Sequence, residues 1–278
     1  MAASAPMDPL SIPQIEQKAK NIRKNIIRMN SHAGQGHTGA DLSETDILAA
    51  LFFSVLKLDK NHLDDPERDR FILSKGHGIG GFYCTLAEAG FIDASSLETY
   101  LQFDSNLPGH PVRQKTPVIE LNTGALGHGL PVGVGLALSA KLTGRAFRVF
   151  VLTGDGELQE GSVWEGAMSA AGFKLDNLIV IVDRNTLQLA DRTEKIMPLE
   201  PLAAKWQAFG FDVHSVDGHD IGQLIETINE LDLNCAQPHV ILARTIKGKG
   251  VSFIEDRAAW HHKIPVDDQV TKAIRELE

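Results

Sequence analysis

Two polar residues with metal-ligating chemistry each follow an apolar run. Asp155 lies between two glycines shortly after the run 149–152, and Asn185 follows the run 178–182. A carboxylate and an amide oxygen, together with a nearby backbone carbonyl, are ligands that a hard divalent cation such as Mg²⁺ prefers. A helical pattern follows Gly156, and the free N–H groups at the start of a helix bind anions. These residues predict a site for a magnesium–diphosphate group.

The elements that must position these residues form one strand–helix–strand unit. The two apolar runs predict buried strands, and the pattern over 160–172 predicts a helix between them. Such a unit implies parallel strands with a right-handed crossover, and ligands bind at the carboxyl ends of parallel strands. A glycine–aspartate–glycine turn, or an asparagine at a strand end, is common by itself. The prediction therefore depends on the whole unit.

Further strands and helices alternate along the chain. Strands are predicted over 70–73, 211–216 and 239–245, and helices over 15–31, 47–55, 82–89, 95–101, 202–209, 221–233 and 266–277. Residues 188–201 are predicted to be a loop. The alternation predicts an α/β fold with a mostly parallel, twisted sheet flanked by helices. We expect one domain over 15–278, preceded by a flexible lead-in over 1–14.

Composition argues against several classes of partner. The net charge of −9 argues against a nucleic acid. The longest apolar runs have the length of strands, so we expect no membrane span. The first residues lack the basic region and apolar core of a secretory signal. Together these features predict a cytoplasmic protein.

Histidines form the second group of candidate residues. Four follow a glycine and two follow a tryptophan: His37, His77, His110, His128, His261 and His262. Histidine exchanges hydrogen bonds with hydroxyl groups and moves protons near neutral pH, which suits sugar chemistry. Any single one is more often an ordinary polar loop residue. Zinc binding is the alternative, and we discount it because close spacings of cysteines or histidines are absent.

These motifs resemble those of the transketolase family. The unit 149–187 contains GDG and the segment ELQEGSVWEGAMSAAGFKLDNL, and the loops GHTGA, LSKGHG, PGHP and TGALGHG also resemble transketolase loops. The resemblance extends from about Ile22 to His261 and covers the N-terminal half of a usual transketolase. It implies a thiamine-diphosphate-binding fold and transfer of a two-carbon ketol unit from a ketose to an aldose, or between their phosphates. The activity that it implies most directly is that of the pentose phosphate transketolase.

The resemblance also implies cofactors and residue roles. The cofactors are thiamine diphosphate and Mg²⁺, for which Ca²⁺ or Mn²⁺ can substitute. The implied metal ligands are Asp155, Asn185 and the carbonyl oxygen of Leu187. The implied cofactor contacts are His77, Gly124, Leu126, Gly127, Gly156, Glu160, Asn185 and His261. The implied catalytic residues are His37, His110 and His261.

Some positions carry no settled role or depart from the family. Glu160 and Glu165 resemble carboxylates that connect active sites across a subunit interface, although exposed helix charge explains them equally well. Thr38 replaces a usual proline, His128 a usual glutamine and Arg184 a usual second aspartate. None of these three changes removes a metal ligand, so they concern substrate preference.

The resemblance implies a partner chain. Residues 1–278 contain nothing similar to the pyrimidine-binding half of a transketolase or its activating glutamate. We therefore expect a separate C-terminal subunit, in an α2β2 assembly, and sugar-phosphate substrates. The alternatives are another thiamine-diphosphate enzyme, such as a deoxyxylulose-phosphate synthase or the alpha chain of a 2-oxoacid dehydrogenase, and a non-catalytic cofactor-binding protein.

Overall fold

Five parallel strands form a single sheet at the centre of the protein. The computed structural model describes residues 10–278. The strands are β1 (Arg70–Leu73), β2 (Val149–Gly154), β3 (Leu178–Arg184), β4 (Asp212–Asp217) and β5 (His239–Arg244). They are ordered β1-β2-β3-β5-β4, and every neighbouring pair is parallel. This architecture confirms the predicted α/β fold.

Helices cover both faces of the sheet. They are α1 (Ile12–Ala33), α2 (Thr38–Ser43), α3 (Thr45–Ala50), α4 (Ile79–Glu88), α5 (Gly129–Leu142), α6 (Gly161–Gly172), α7 (Thr193–Ile196), α8 (Leu202–Ala208), α9 (Ile221–Asn229) and α10 (Asp268–Glu276). None of the helices within residues 10–278 is both long and apolar enough to cross a membrane.

Alternating side chains of each strand divide the core into two layers. Along β3, Ile179 and Ile181 pack with α1, α3, α4 and α9. Leu178, Val180 and Val182 face the other way and pack with α5, α6 and α8. Every residue of β3 is buried. Burial on both faces explains why the strands read as continuous apolar runs rather than as an alternating pattern.

Helix α1 shows how local sequence sets an element's ends. Gln14 Oε1 accepts a hydrogen bond from the backbone N–H of Ser11, and Gly34 ends the helix with a φ of 70°. Most of the predicted lead-in, residues 1–9, lies outside the described residues. Ile12 to Gln14 belong to α1, so that part of the prediction was wrong.

Three other predicted boundaries differ from the structure. The predicted loop 188–201 contains α7, since the short bridge between Leu187 and Arg192 folds the chain back at this point. Helix α9 ends at Asn229, four residues before the prediction's end at 233. The predicted helix 47–55 is α3 followed by a π-helical turn, Leu51–Val55.

Candidate active site

A cavity of about 390 Å³ opens at the carboxyl edge of the sheet. All predicted site residues except Gly127 line it: His37, His77, His110, Gly124, Leu126, Asp155, Gly156, Glu160, Asn185, Leu187 and His261. A larger cleft of about 670 Å³ runs along α10, but a single helix lines it and no groups converge there. The chemistry predicted from the sequence is therefore concentrated in the smaller cavity.

The three predicted metal ligands come from neighbouring strand ends. Gly154 of β2 pairs with Asp183 of β3, so Asp155 and the segment after β3 emerge side by side. Asp155 Oδ2 accepts a 2.6 Å hydrogen bond from the Thr186 N–H, and Asn185 Oδ1 accepts one of 3.1 Å from the Leu187 N–H. Backbone N–H groups of the segment after β3 thus hold both side-chain oxygens in place.

Lys247 lies against the third predicted ligand. Its ammonium group donates to the Leu187 carbonyl oxygen at 2.8 Å and contacts His261 Nδ1 at 2.7 Å. Burial, followed by repulsion from Lys75, lowers the pKa of Lys247 to about 8. The predicted carbonyl ligand is thus hydrogen-bonded to a buried ammonium group.

Arg184 clamps the metal-ligand candidate Asp155. Its Nη1 donates to Asp155 Oδ2 at 3.1 Å and to Thr193 Oγ1 at 2.7 Å. Its Nη2 donates to Glu194 and Glu200, at 2.8 and 3.0 Å. Burial and the nearby Asp183 charge raise the pKa of Asp155, and Arg184 counteracts them. The family departure at position 184 thus places a positive charge directly beside the cavity.

A short turn separates Asp155 from the predicted helix. Gly156–Gln159 is a 3₁₀ turn, and α6 begins only at Gly161. The Gly156 N–H donates to Asp155 Oδ1 at 2.8 Å, so it is already bonded. Helix α6 therefore confirms the predicted helix over 160–172 to within one residue. The bonded Gly156 N–H is not one of the free donors at its start, although Gly156 does line the cavity.

The loop before α5 is held by one buried carboxylate. Glu157 accepts hydrogen bonds from the Gly127 N–H at 2.9 Å, the Gly154 N–H at 3.1 Å and the Ser74 hydroxyl. Gly127 has a φ of 83°, and a Cβ there would lie 2.5 Å from the Cβ of Glu160. Gly127 therefore lies behind the cavity wall and fixes the position of Leu126 in front of it.

Five histidines lie in or beside the cavity. The ring centroids of His37 lie 5.3 Å from His77, 5.7 Å from His261 and 4.6 Å from His262. His77 and His261 are 5.3 Å apart. His110 lies across the mouth, where a Cβ on Gly124 would be 3.1 Å from its ring. The fold thus brings together histidines from four separate loops.

Burial keeps these imidazoles neutral at pH 7. It is the largest cause that lowers the pKa of His37 to about 4 and that of His261 to about 3. Burial also lowers the pKa of His77 well below its usual value, and lowers that of His110. The charges of Lys75 and Lys247 lower the pKa of His37, His77 and His261 further. A neutral imidazole can both donate and accept a hydrogen bond, as contact with a sugar hydroxyl requires.

A buried ion cluster supports the cavity from below. Lys75 is 1% exposed and pairs with Glu44 at 2.9 Å and Asp183 at 2.6 Å. Burial lowers the pKa of Lys75, but the two carboxylates outweigh it and raise the pKa above the usual value. Asp183 also accepts hydrogen bonds from Ser43 and Thr245. These contacts tie β1, α2, β3 and the end of β5 together beneath the cavity.

Three residues that the sequence analysis named do not line the cavity: His128, His262 and the interface candidate Glu165. His128 is exposed at the start of α5, and its Nδ1 contacts the Leu126 carbonyl at 3.1 Å. Glu165 is exposed on α6. His262 contacts the histidine group through His37 but is itself exposed.

Sequence reasoning missed Lys75, Glu157 and Lys247. A signal existed for Lys247, because it lies between a predicted strand end and two glycines in TIKGKG. Lys75 has the same position after β1, directly before the glycine of SKGHG. Glu157 gave no such signal, since its bonds to Gly127 and Ser74 connect segments far apart in the chain.

Comparison with known families agrees with this geometry. Residues 15–277 match the family described as "Transketolase, thiamine diphosphate binding domain". The chain belongs to the transketolase family. It therefore contributes to a transketolase-type transferase, and the predicted thiamine-diphosphate-binding fold is confirmed.

Two transketolase relatives have nearly the length of this chain. It is 55% identical over 270 residues to one subunit of the apulose-4-phosphate transketolase of Actinobacillus succinogenes, which is 97% of this chain and 98% of that protein. It is 39% identical over 264 residues to the 6-deoxy-6-sulfo-D-fructose transketolase subunit SqwG of a Clostridium species, covering 95% and 96% of the two chains. These relatives confirm the predicted N-terminal subunit of a transketolase, and they do not favour the other thiamine-diphosphate enzymes.

Other transketolases are much longer. Human transketolase is 35% identical over 271 residues, which are 97% of this chain but 43% of the human protein. The crystal structure of transketolase from Campylobacter jejuni superposes with a TM-score of 0.88 at 28% identity, covering 96% of this chain and 43% of that one. The chain thus spans less than half the length of these two transketolases.

Proposed function

We propose that this chain binds Mg²⁺ and thiamine diphosphate in the cavity and performs ketol transfer between sugar phosphates with a separate C-terminal subunit. One observation carries the proposal. Oxygen donors at the ends of β2 and β3 face a group of neutral histidines across a single cavity of about 390 Å³. Hard oxygen ligands suit a metal diphosphate, and neutral imidazoles suit sugar hydroxyls.

The donor set fits a magnesium ion. Asp155, Asn185 and Leu187 offer a carboxylate, an amide and a carbonyl oxygen, which are also ligands for Ca²⁺ and Mn²⁺. The hydrogen bond from the Lys247 ammonium group to the Leu187 carbonyl oxygen supports this assignment, because it places a positive charge on that oxygen. Lys247 also lies at this carbonyl, so its ammonium group would be placed to donate to an anionic oxygen of a bound diphosphate.

The remaining cavity wall suits the other parts of the cofactor. His77 and Lys247 supply hydrogen-bond donors for the diphosphate, and Leu126 supplies an apolar surface for a ring. Gly124, Gly156 and Glu160 complete the wall, while Gly127 supports it from behind. When bound, thiamine diphosphate supplies the electron sink for breaking and making a carbon–carbon bond.

The histidines of this chain then orient the sugar and move its protons. Lysine is only a donor, so its contact with His261 assigns the accepting lone pair to Nδ1 and the proton to Nε2. His261 therefore presents an N–H donor, suited to a substrate carbonyl oxygen. His37 and His110 are neutral and can exchange hydrogen bonds with hydroxyl groups. These are the catalytic roles that we assign to the three residues.

A second chain completes the site in this proposal. The mouth of the cavity includes exposed Glu160, His110 and Leu189. We propose that a C-terminal transketolase subunit covers this mouth and binds the pyrimidine half of the cofactor. The two kinds of chain would form an α2β2 assembly. The relatives that are named as transketolase subunits support the existence of a partner.

The names of the relatives also guide the choice of substrate. Two chains that are named as subunits of apulose-4-phosphate transketolases are 55% and 41% identical to this one. We propose a ketose phosphate of the apulose 4-phosphate kind as substrate, in preference to xylulose 5-phosphate, a substrate of the pentose phosphate transketolase activity expected from the sequence.

Reconstitution tests the proposal. The purified chain is assayed for ketol transfer from apulose 4-phosphate or xylulose 5-phosphate to ribose 5-phosphate as the acceptor, with and without a C-terminal transketolase subunit. We expect activity only in the mixture, with a higher kcat/KM for apulose 4-phosphate. Full activity of the chain alone contradicts the partner, and a preference for xylulose 5-phosphate contradicts the substrate.

Two histidine variants test the site within the same assay. His110→Ala removes an imidazole from the cavity mouth and should lower kcat/KM about tenfold or more, since one hydrogen bond of about 1.4 kcal/mol is lost from the transition state. Cofactor affinity should change less. His62→Ala, at an exposed position outside the cavity, is the matched control and should retain wild-type activity. Equal loss of turnover and cofactor binding in His110→Ala would give His110 a structural role.

A further inference from the structure

Three ligand-type side chains meet at the opposite edge of the sheet. Asp212 begins β4 and His239 begins β5, and the two residues are paired in register. His214 is two positions along β4, on the same side of the strand as Asp212. Asp212 Oδ2 lies 2.8 Å from His214 Nε2 and 3.1 Å from His239 Nδ1. One carboxylate oxygen is thus shared between two imidazole rings.

This grouping is distinctive among residues 10–278. The ligand atoms of the three side chains all lie within 4.8 Å of one another, and no other set of three His, Cys, Asp or Glu residues in that range converges so closely. Ligands at 2.0–2.2 Å in a tetrahedral zinc site are separated by roughly 3.3 Å. The two observed separations are close to that value, so a small outward movement of the rings admits an ion.

We propose that Asp212, His214 and His239 bind a divalent transition metal ion of the Zn²⁺ type. Two imidazole nitrogens and one carboxylate oxygen make a three-ligand set, and the fourth position is left to water. This ligand set differs from the oxygen donors of the cavity, which suit Mg²⁺. The sequence concealed the site because α9 separates His214 from His239, and only the pairing of β4 with β5 joins them.

The surroundings of His239 support a metal site. Its side chain is fully buried, so its orientation is fixed by packing. Its second nitrogen, Nε2, lies 3.9 Å from Cys235 Sγ. Metal-ligating histidines characteristically direct their second nitrogen at an outer polar group, which fixes the ring and its tautomer. Because ligation requires the lone pairs of His214 Nε2 and His239 Nδ1, protons compete with the metal, and affinity falls as pH is lowered.

The site is independent of the cavity. It lies at the amino ends of β4 and β5, whereas the cavity lies at the carboxyl ends. Strands of six residues separate the two by roughly 17–20 Å. A bound ion would connect the edge strand β4 to β5, so its expected effect is on stability rather than on turnover.

Zinc titration of the chelator-treated chain tests the proposal. In calorimetry with ZnCl₂, the wild type should bind one zinc ion per chain more than His214→Ala does. If the variant still binds that zinc ion, its affinity should be at least about tenfold lower than that of the wild type. Both proteins share the histidines of the cavity, so zinc binding there cancels. His62→Ala is the matched control, because His62 pairs with Asp59 at 2.7 Å on the surface without a third ligand. It should match the wild type.

Identical titrations for the wild type and His214→Ala overturn the proposal. A second measurement decides independently of how well the variant folds. Anomalous scattering at the zinc edge from zinc-soaked crystals of the wild-type chain should give a peak bonded to Asp212, His214 and His239. Peaks confined to the cavity, or no peak at all, also overturn it.

Discussion

The two edges of the sheet place histidines in opposite electrostatic surroundings. At the carboxyl edge, burial and the charges of Lys75 and Lys247 lower the pKa of His37, His77 and His261. At the amino edge, His214 and His239 share the carboxylate of Asp212. Histidine therefore stays neutral in the cavity at the carboxyl edge, whereas at the amino edge two histidines contact one carboxylate.

The two edges also differ in how many charged groups they bury, and burial of charge lowers stability unless the charges are paired. The carboxyl edge buries Lys75, Glu44 and Asp183, and the two oxygens of Glu44 have no hydrogen-bond partner among the described residues, although Lys75 lies 2.9 Å away. Such groups are expensive to bury unless they are paired. The amino edge leaves Asp212 and His214 partly exposed. We therefore expect substitutions at the carboxyl edge to have larger effects, and four experiments test this ranking.

The largest effect is expected for Lys75→Met. The substitution removes the buried cation and leaves the Glu44 and Asp183 carboxylates without a counterion. Breaking a buried pair in this way costs about 3–5 kcal/mol of unfolding free energy. Urea denaturation followed by circular dichroism measures it. Lys195→Met removes a surface pair with Asp191 and should cost less than about 1 kcal/mol; equal costs would contradict the ranking.

Asp155→Ala should have the next largest effect, on ligand binding. It deletes the one charged oxygen donor of the proposed magnesium site, so we expect magnesium-dependent affinity for thiamine diphosphate to fall by at least about 100-fold, above the usual range for outer-shell changes. Calorimetry on the reconstituted enzyme measures the affinity. Asp232→Ala, an exposed aspartate near the amino edge, is the control. Unchanged affinity in Asp155→Ala would show that the ligand assignment is wrong.

A smaller effect is expected from the pH dependence of stability. In the folded state, the pKa of His37 is about 4 and that of His261 about 3, below the value of 6.5 in the unfolded chain. The unfolded chain therefore binds more protons, and stability is lost as pH falls from about 6.5 toward 4. Between pH 7 and pH 5, the double variant His37→Asn/His261→Asn should lose about 1–2 kcal/mol less than the wild type, after allowance for partial exposure.

Urea denaturation at the two pH values provides this measurement. His32→Asn/His128→Asn, with two exposed histidines, is the matched control and should follow the wild type. A double cavity variant that loses as much stability as the wild type would mean that the two imidazoles titrate normally in the folded protein.

The smallest effect is expected for His214→Ala in metal-free protein. Its ring is 32% exposed and makes one hydrogen bond to Asp212. Removing such a pair should change the unfolding free energy by less than about 1 kcal/mol. The same urea assay measures it in the presence of a chelator. If His214→Ala lost as much unfolding free energy as Lys75→Met, the expected difference in stability effects between the two edges would be contradicted.

The sequence predicted the framework well because its strands have simple signals. Strands β2 and β3 are fully buried, mostly apolar runs, and every predicted strand is present within one or two residues of its bounds. Asp155 and Asn185 were correctly placed at one edge, because the carboxyl ends of parallel strands always meet there. Predicted helix ends were less accurate, as for α9 and α3, since packing rather than local sequence ends these helices.

Contacts between distant segments were beyond the sequence. Nothing in the spacing of Glu157 and Gly127 shows that they are bonded, or that Lys247 reaches the Leu187 carbonyl. Protonation could not be predicted either, because the lowered pKa of His261 arises from burial and from Lys247 in a different loop. The zinc-type ligands escaped notice for the same reason, since strand register alone pairs Asp212 with His239.

The four hydrogen-bond partners of Arg184 limit which substitutions are tolerated at position 184 and at the positions that it contacts. The guanidinium group joins Asp155 to Glu194 and Glu200, so a relative with an uncharged residue at position 184 would leave acidic groups unmatched beside a metal ligand. Mutations at positions 184, 194 and 200 should therefore be inherited together. Among homologous chains, we expect acidic residues at 194 and 200 to accompany arginine at 184 and to be replaced where it is replaced. Spatial contact of this kind produces covariation, so the three positions would behave as one unit when sequences are compared.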